Sequence, residues 1–259
     1  TLFSTMDSIR YMERFMHCGF VAIAPHTGEV KAWVGDINFQ SWKYDKVLSK
    51  RQPGSTFKLF VYTEAMNQGL SPCDLRVDEN IPWEVEENGE KKLWMPHNAN
   101  GGATLDTMSL KMAFAQSVNT IAANIAHEVG IHQIATTAHR MGIQTKLEET
   151  PALSLGASDV SLLELVSAYG TVVNDGEAIQ PILITRVENK DGKVIYQQEA
   201  EATQAIPYAS AYLMQQMLRG GLTCPKGTSQ ALWRFRIFDK GTESVSYTHL
   251  RAHETELHL

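Results

Sequence analysis

Two short apolar runs, residues 20–24 (FVAIA) and 30–34 (VKAWV), flank Pro25-His26-Thr27-Gly28. A β-rich run on each side of a Pro/Gly turn predicts a β-hairpin. Ahead of it, Ile9, Met12, Phe15 and Met16 recur at helical spacing within residues 1–18 and predict a short lead-in helix. The breaker cluster Arg51-Gln52-Pro53-Gly54 precedes STFKLFVYTEAMNQG, a helix closed by Gly69. Residues 71–104, with Pro72, Pro82 and Pro96, read as an extended loop region. Residues 105–116 and 120–129 predict two helices interrupted at Ser117-Val118-Asn119, the second with a stripe of Ile121, Ala122, Ile125 and Val129.

Further on, Ser161 and Glu164 have the spacing of a capping box, with Val160 and Leu165 as its hydrophobic staple, and the helix they start ends at Asn174-Asp175-Gly176. Residues 182–187 and 194–196 flank Asn189-Lys190-Asp191-Gly192, a second hairpin. Residues 207–219 predict a helix, with Pro at its start and Gly220 beyond its end, and 232–238 are a strand candidate. There is no internal repeat. Strands at both ends with helices between them predict an α+β fold, not a βαβ series.

The chain has 259 residues, 43% of them hydrophobic and 20% charged, which suits a globular domain with a sizeable core. A net charge of −6 with no long Lys/Arg run leaves no electrostatic footprint for nucleic acid. No apolar run reaches the roughly 18 residues of a membrane span. Cys18, Cys73 and Cys224 are odd in number and widely spaced, so they suggest neither a disulfide framework nor a metal site.

Candidate chemistry begins at Ser55-Thr56-Phe57-Lys58, an S-x-x-K at a helix start. A spacing of three brings both side chains to one helix face. A Ser hydroxyl becomes a useful nucleophile when a neighbouring base takes its proton. Lys can be that base where desolvation or nearby positive charge lowers its pKa. The helix N-terminus supplies N–H groups suited to a developing oxyanion. Ser117-Val118-Asn119 adds an S-x-N, in which Ser can pass a proton and Asn can bind an amide. Each motif alone also fits a blander role: a capping Ser with a solvated Lys, and a capped helix junction.

Longer strings narrow the choice. RQPGSTFKLF (51–60), SLKMAFAQSVNTIAA (109–123) and LSLGASDVSLLELVSAYGTVVNDG (153–176) resemble the transpeptidase domain of class A penicillin-binding proteins. VAIAPHTGEVKAWVG resembles that domain's first strand pair, Pro96-His97-Asn98 the P-x-N segment before the second motif, and Gly227-Thr228-Ser229 the G-T-x stretch before the third. The wording MDSIRYMERFMHCGFVAIAPHTGEVKAWVGD is most similar to Bacteroidetes-type members.

The resemblance implies a β-lactamase/transpeptidase-like fold, an antiparallel sheet flanked by helices with a helical subdomain. It also implies a D,D-transpeptidase that cross-links peptidoglycan stem peptides and is acylated by β-lactam antibiotics. Ser55 would be the nucleophile, Lys58 the general base, Ser117 a proton relay, Asn119 an amide anchor and Asn98 a further substrate-binding residue. No cofactor or metal is implied. The parent protein would also be a peptidoglycan glycosyltransferase using a lipid-linked precursor. It would sit at the periplasmic face of the cytoplasmic membrane, held by an anchor that lies outside this chain.

The pattern breaks at the third motif. K-T-G is missing; the nearest string is Asp239-Lys240-Gly241-Thr242, and residues 235–243 resemble the strand and turn leading into that motif. VSYTHLRAHET, near the end, resembles translated sequencing-adapter read-through, so residues 245–259 are expected to be foreign. The expected organisation is a lead-in segment (1–19), a partial transpeptidase domain (20–244) incomplete at its C-terminal sheet strands, and that tail. His253-Glu254 begins like H-E-x-x-H, but the second His, His258, is one position too far for a shared helix face. Without K-T-G the segment alone is expected to be poorly soluble and inactive. A class D-like β-lactamase, a D,D-carboxypeptidase and a non-catalytic β-lactam-binding module stay open as alternatives.

Overall fold

The computed structural model describes residues 4–235, apart from 13, 39, 41, 88, 89 and 100. The third-motif string 239–242, the end of the 232–238 strand, and His249, His253 and His258 of the tail lie outside the described residues. Helix α1 (Thr5–Met12) occupies only part of the predicted lead-in. Strands β1 (Phe20–Ile23) and β2 (Val30–Val34) form the expected antiparallel hairpin, with Phe20 opposite Val34.

After β3 (Lys50–Arg51), the 3-10 turn Gly54–Phe57 runs into α2 (Lys58–Asn67). Every residue of α2 from Lys58 to Met66 is buried. A helix covered on all sides is a core element, not a surface one. Glu64 is tolerated inside it because Thr137 Oγ1 (2.7 Å), Gln68 Nε2 (2.8 Å) and Asn67 Nδ2 (3.1 Å) donate to its carboxylate. Strands β4 (Leu75–Val77), β5 (Trp83–Glu87), β6 (Glu90–Trp94) and β7 (Thr107–Ser109) precede α3 (Leu110–Ala115), α4 (Asn119–Val129) and α5 (Ile131–Arg140). The remainder is β8 (Val160–Ser161), α6 (Leu162–Val173), β9 (Glu177–Ile179), β10 (Arg186–Glu188), β11 (Val194–Gln197), β12 (Ala202–Gln204) and α7 (Tyr208–Thr223).

The α+β expectation holds. Among the described residues the strands pair two by two, all antiparallel: β1–β2, β3–β8, β4–β7, β5–β6, β9–β12 and β10–β11. The core forms where α4, α5 and α7 pack on α2. Tyr62 and Phe114 meet edge-on there, with ring centroids 4.9 Å apart. The three cysteines are unpaired, and no described helix is long and apolar enough to cross a membrane.

Several expectations need correction. Residues 71–104 are not loop throughout, because Trp83 and Trp94 meet edge to face across the β5–β6 hairpin (5.9 Å) and anchor it. The helix expected from 105 starts only at Leu110: residues 107–109 pair with β4, and Ser109 caps the helix by accepting the Met112 N–H. Helix α5 was not foreseen. Helix α7 continues through Gly220 and Gly221, both buried, since tertiary packing overrides glycine's weak helix propensity. Residues 230–235 form a 3-10 turn where a strand was expected to begin.

The capping box forms as expected: Glu164 N–H donates to Ser161 Oγ (3.3 Å), and Ser161 N–H to Glu164 Oε2 (2.8 Å). The same carboxylate accepts the N–H groups of Gln144 (2.9 Å) and Thr145 (2.8 Å), tying α6 to the loop after α5. Burial would raise the Glu164 pKa, but hydrogen bonds from Ser161 and Thr145 outweigh it and hold it below its ordinary 4.5. A carboxylate depressed on folding stabilises the protein above its unfolded pKa and loses that stabilisation as pH falls through the folded one. Glu164→Gln is therefore expected to cost about 1–2 kcal/mol at pH 7. The difference from the parent should shrink in urea melts as pH falls below 4.5.

Candidate active site

Local sequence builds the first wall. Pro53 and Gly54 turn the chain into a 3-10 turn, and the Lys58 N–H donates to the carbonyls of Ser55 and Thr56. In 3-10 geometry residues three apart eclipse one another, so Ser55 and Lys58 share a face more closely than in an α-helix. Thr56 Oγ1 donates to Pro53 O (2.7 Å), and Tyr169 OH on α6 donates to Thr56 O (3.0 Å). Ser55 is half-buried and Lys58 fully buried.

The second wall comes from 59–61 residues away. Lys58 Nζ donates to Ser117 O (2.8 Å), Ser117 Oγ (3.0 Å) and Asn119 Oδ1 (2.6 Å). The S-x-N residues are thus brought to the Lys58 amine of the S-x-x-K, with Ser55 on the adjoining turn. The linker between α3 and α4 explains how. Ser117 N–H donates to Phe114 O and Val118 N–H to Ala113 O, both at 3.0 Å, a Schellman closure with Ser117 in the left-handed position (φ 58°). Glycine usually takes that position. Serine accepts the strain and gains an Oγ aimed at Lys58. Ser117→Gly is expected to relieve about 1 kcal/mol of backbone strain and to lose a comparable amount with the acceptor it takes from buried Lys58. In the full-length parent the melting temperature should therefore move little, while any proton transfer through Ser117, read by acylation rate, slows about 100-fold.

Asn119 begins α4, and its Nδ2 donates to His97 O (2.8 Å), which turns Oδ1 toward Lys58. The residue before it, Val118, has no side-chain acceptor, so α4 is capped from a distance: Asn98 Oδ1 accepts the N–H groups of Asn119 (2.9 Å) and Thr120 (3.2 Å). Asn98 Nδ2 donates to both oxygens of Asp78, at 3.0 and 3.1 Å. Both ends of the Asn98 amide are engaged in the scaffold, so its place in the structure is a helix cap beneath the site.

Asp78 carries no motif signal and sequence reading passed over it. It is 2% exposed. Burial pushes its pKa up, but donation from Thr120, Thr104 and Asn98 outweighs that and holds it below the usual carboxylate range. The arrangement supplies a half-buried hydroxyl, a buried amine one helical turn away and a second hydroxyl hydrogen-bonded to that amine, the parts of a nucleophile–base–relay site.

Comparison with known proteins follows the same lines. A family model described as the penicillin binding protein transpeptidase domain matches residues 18–237. Penicillin-binding protein 2D of Bacillus subtilis is 33% identical over 203 residues, covering 78% of this chain and 29% of that protein. The crystal structure of penicillin-binding protein 1A from Haemophilus influenzae superposes with a TM-score of 0.77 at 24% identity, covering 84% of this chain and 38% of the other. An imipenem acyl-enzyme complex of penicillin-binding protein A from M. tuberculosis gives 0.65 at 18% identity, covering 78% and 56%.

Proposed function

The chain belongs to the penicillin-binding protein transpeptidase family, and on that premise we propose that it carries the serine acylation site of a D,D-transpeptidase. The observation that supports this most directly is Lys58 Nζ held between Ser117 and Asn119 one helical turn from Ser55. Ser55 Oγ attacks the carbonyl of the D-Ala–D-Ala amide while Lys58 takes its proton. The C–N bond breaks, and Ser117 passes a proton to the departing D-Ala amine. The acyl group stays on Ser55 as an ester until the amine of a second stem peptide takes it, making the cross-link. Water in the amine's place would give carboxypeptidase turnover from the same intermediate. A β-lactam enters by the same step, with its ring nitrogen as the leaving group and still tethered. Asn119, where a class D-like β-lactamase would carry Val, supports the transpeptidase reading. The buried Lys58 contacts support catalysis over passive binding.

The chain spans 29% of the length of the Bacillus subtilis relative. Glycosyl transfer from a lipid-linked precursor, the membrane anchor and a periplasm-facing location are proposed for the parent protein on the class A resemblance; for glycosyl transfer, two similar solved structures are of proteins named peptidoglycan glycosyltransferase. K-T-G occurs nowhere in the 259 residues. Produced alone, the segment is expected not to react. The test is to incubate the full-length parent with a fluorescent penicillin, digest it and map the adduct by mass spectrometry. A long-lived adduct with the whole penicillin mass on the Ser55 peptide is expected. No adduct, an adduct elsewhere, or rapid hydrolytic turnover would overturn the reading.

A further inference from the structure

We infer that Asp78 is a positioning residue for Lys58, acting through the orientation of the Asn98 amide; the inference rests on the acylation reading above. Among the described residues, its carboxylate accepts from neutral donors: Asn98 Nδ2 (3.0 and 3.1 Å), Thr104 N–H (2.9 Å), Thr104 Oγ1 (3.0 Å) and Thr120 Oγ1. A carboxylate so enclosed is costly to bury, and packing alone would be served as well by a neutral side chain of the same shape. What an ionised carboxylate adds is polarity, because it can only accept.

That polarity propagates. Facing an acceptor, Asn98 must turn its NH2 toward Asp78 and its oxygen toward the first turn of α4. There the oxygen receives the N–H groups of Asn119 and Thr120. A flipped amide would set donor against donor at both backbone groups and leave α4 without its distant cap. The Asn119 amide is oriented by the carbonyl of His97, next to Asn98 in the chain, and its oxygen accepts from Lys58 Nζ at 2.6 Å. A buried charge at residue 78 thus sets, through one amide flip and one helix start, where the Lys58 amine sits.

Asp78→Asn preserves shape and removes the obligation to accept. Measured on the full-length parent with a fluorescent penicillin, it is expected to slow acylation about 10–100-fold, the scale of a misplacement near 1 Å. Asn98→Asp sets two carboxylates face to face and should be at least as slow, with a lower melting temperature. The decisive variant is the exchanged pair, Asp78→Asn with Asn98→Asp. The donor now lies at residue 78, and a carboxylate caps α4, which helix ends favour. The pair is expected to react faster than either single variant and to melt above Asn98→Asp. A merely structural role predicts losses that add. Wild-type acylation by Asp78→Asn, or an exchanged pair no better than the singles in rate and melting temperature, an unfolded pair included, overturns the inference. Absence of labelling in the wild type would instead overturn the acylation reading. The melting temperatures of the exchange would then still decide whether residues 78 and 98 are coupled by polarity.

Discussion

Measured on the full-length parent, Lys58→Met is expected to slow acylation of Ser55 by about 10²–10⁴-fold, the usual contribution of a positioned general base. Methionine is unbranched and apolar, so it suits a site with no exposed surface and isolates the loss of the amine from the loss of volume. It leaves three acceptors, Ser117 O, Ser117 Oγ and Asn119 Oδ1, without this donor. The same variant should therefore also lose about 1–3 kcal/mol of stability. Two losses from one change invite the objection that the rate falls only because the site sags. Lys58→Arg answers it. Arginine keeps positive charge and N–H donors but holds its proton far above neutral pH, so it cannot act as base. If base chemistry governs the rate, the Arg variant stays as slow as the Met variant whatever its stability. Acylation by Lys58→Arg near the wild-type rate, followed by stopped-flow fluorescence with urea melts alongside, would sink the assignment.

The residues proposed to act chemically were legible because chemistry restricts residue type and local spacing. Ser55 with Lys58, and Ser117 with Asn119, stand three and two positions apart, and Ser117 and Asn119 both accept from the Lys58 amine. Geometry that depends on distant partners was not legible. S-x-x-K reads the same whether the turn is α or 3-10, yet the 3-10 form is what eclipses Ser55 and Lys58. The β5–β6 hairpin hid between Pro82 and Pro96, because its anchoring pair of tryptophans is adjacent only once the strands have met. Asp78 gave no sign because its donors stand 20, 26 and 42 positions along the chain. Asn98, which the family resemblance offers as a substrate-binding residue, also caps α4. A usable signal did exist: the helix beginning at Asn119 is preceded by Val118, which has no side-chain acceptor, so a cap had to come from elsewhere.

In the full-length parent, Gly156→Ala is expected to damage the site from a position 101 residues away in sequence, with acylation about 100-fold slower and at least about 1–3 kcal/mol of stability lost. Gly156 closes the 3-10 turn Pro151–Leu155 in the left-handed conformation, φ 81° and ψ 40°. Its carbonyl accepts the Gly54 N–H at 3.3 Å, one residue before the nucleophile. A Cβ added there would stand 2.1 Å from Gly54 O and 2.7 Å from Gly54 C and N. These are backbone atoms, which no rotamer change can move aside. The turn bearing Ser55 must retreat by roughly 1 Å, the displacement at which oriented catalysis loses about two powers of ten. Strain and displacement are separable, because Gly69 is also left-handed (φ 95°) but has nothing within 4 Å of an added Cβ. Gly69→Ala should thus lose about 1 kcal/mol from backbone strain alone and acylate at the parent rate. If the two alanine variants acylate equally fast, contact with Gly156 does not set the position of Ser55. If only Gly156→Ala is slow, the missing side chain at residue 156 belongs to the geometry of the site as much as the side chains that surround Lys58.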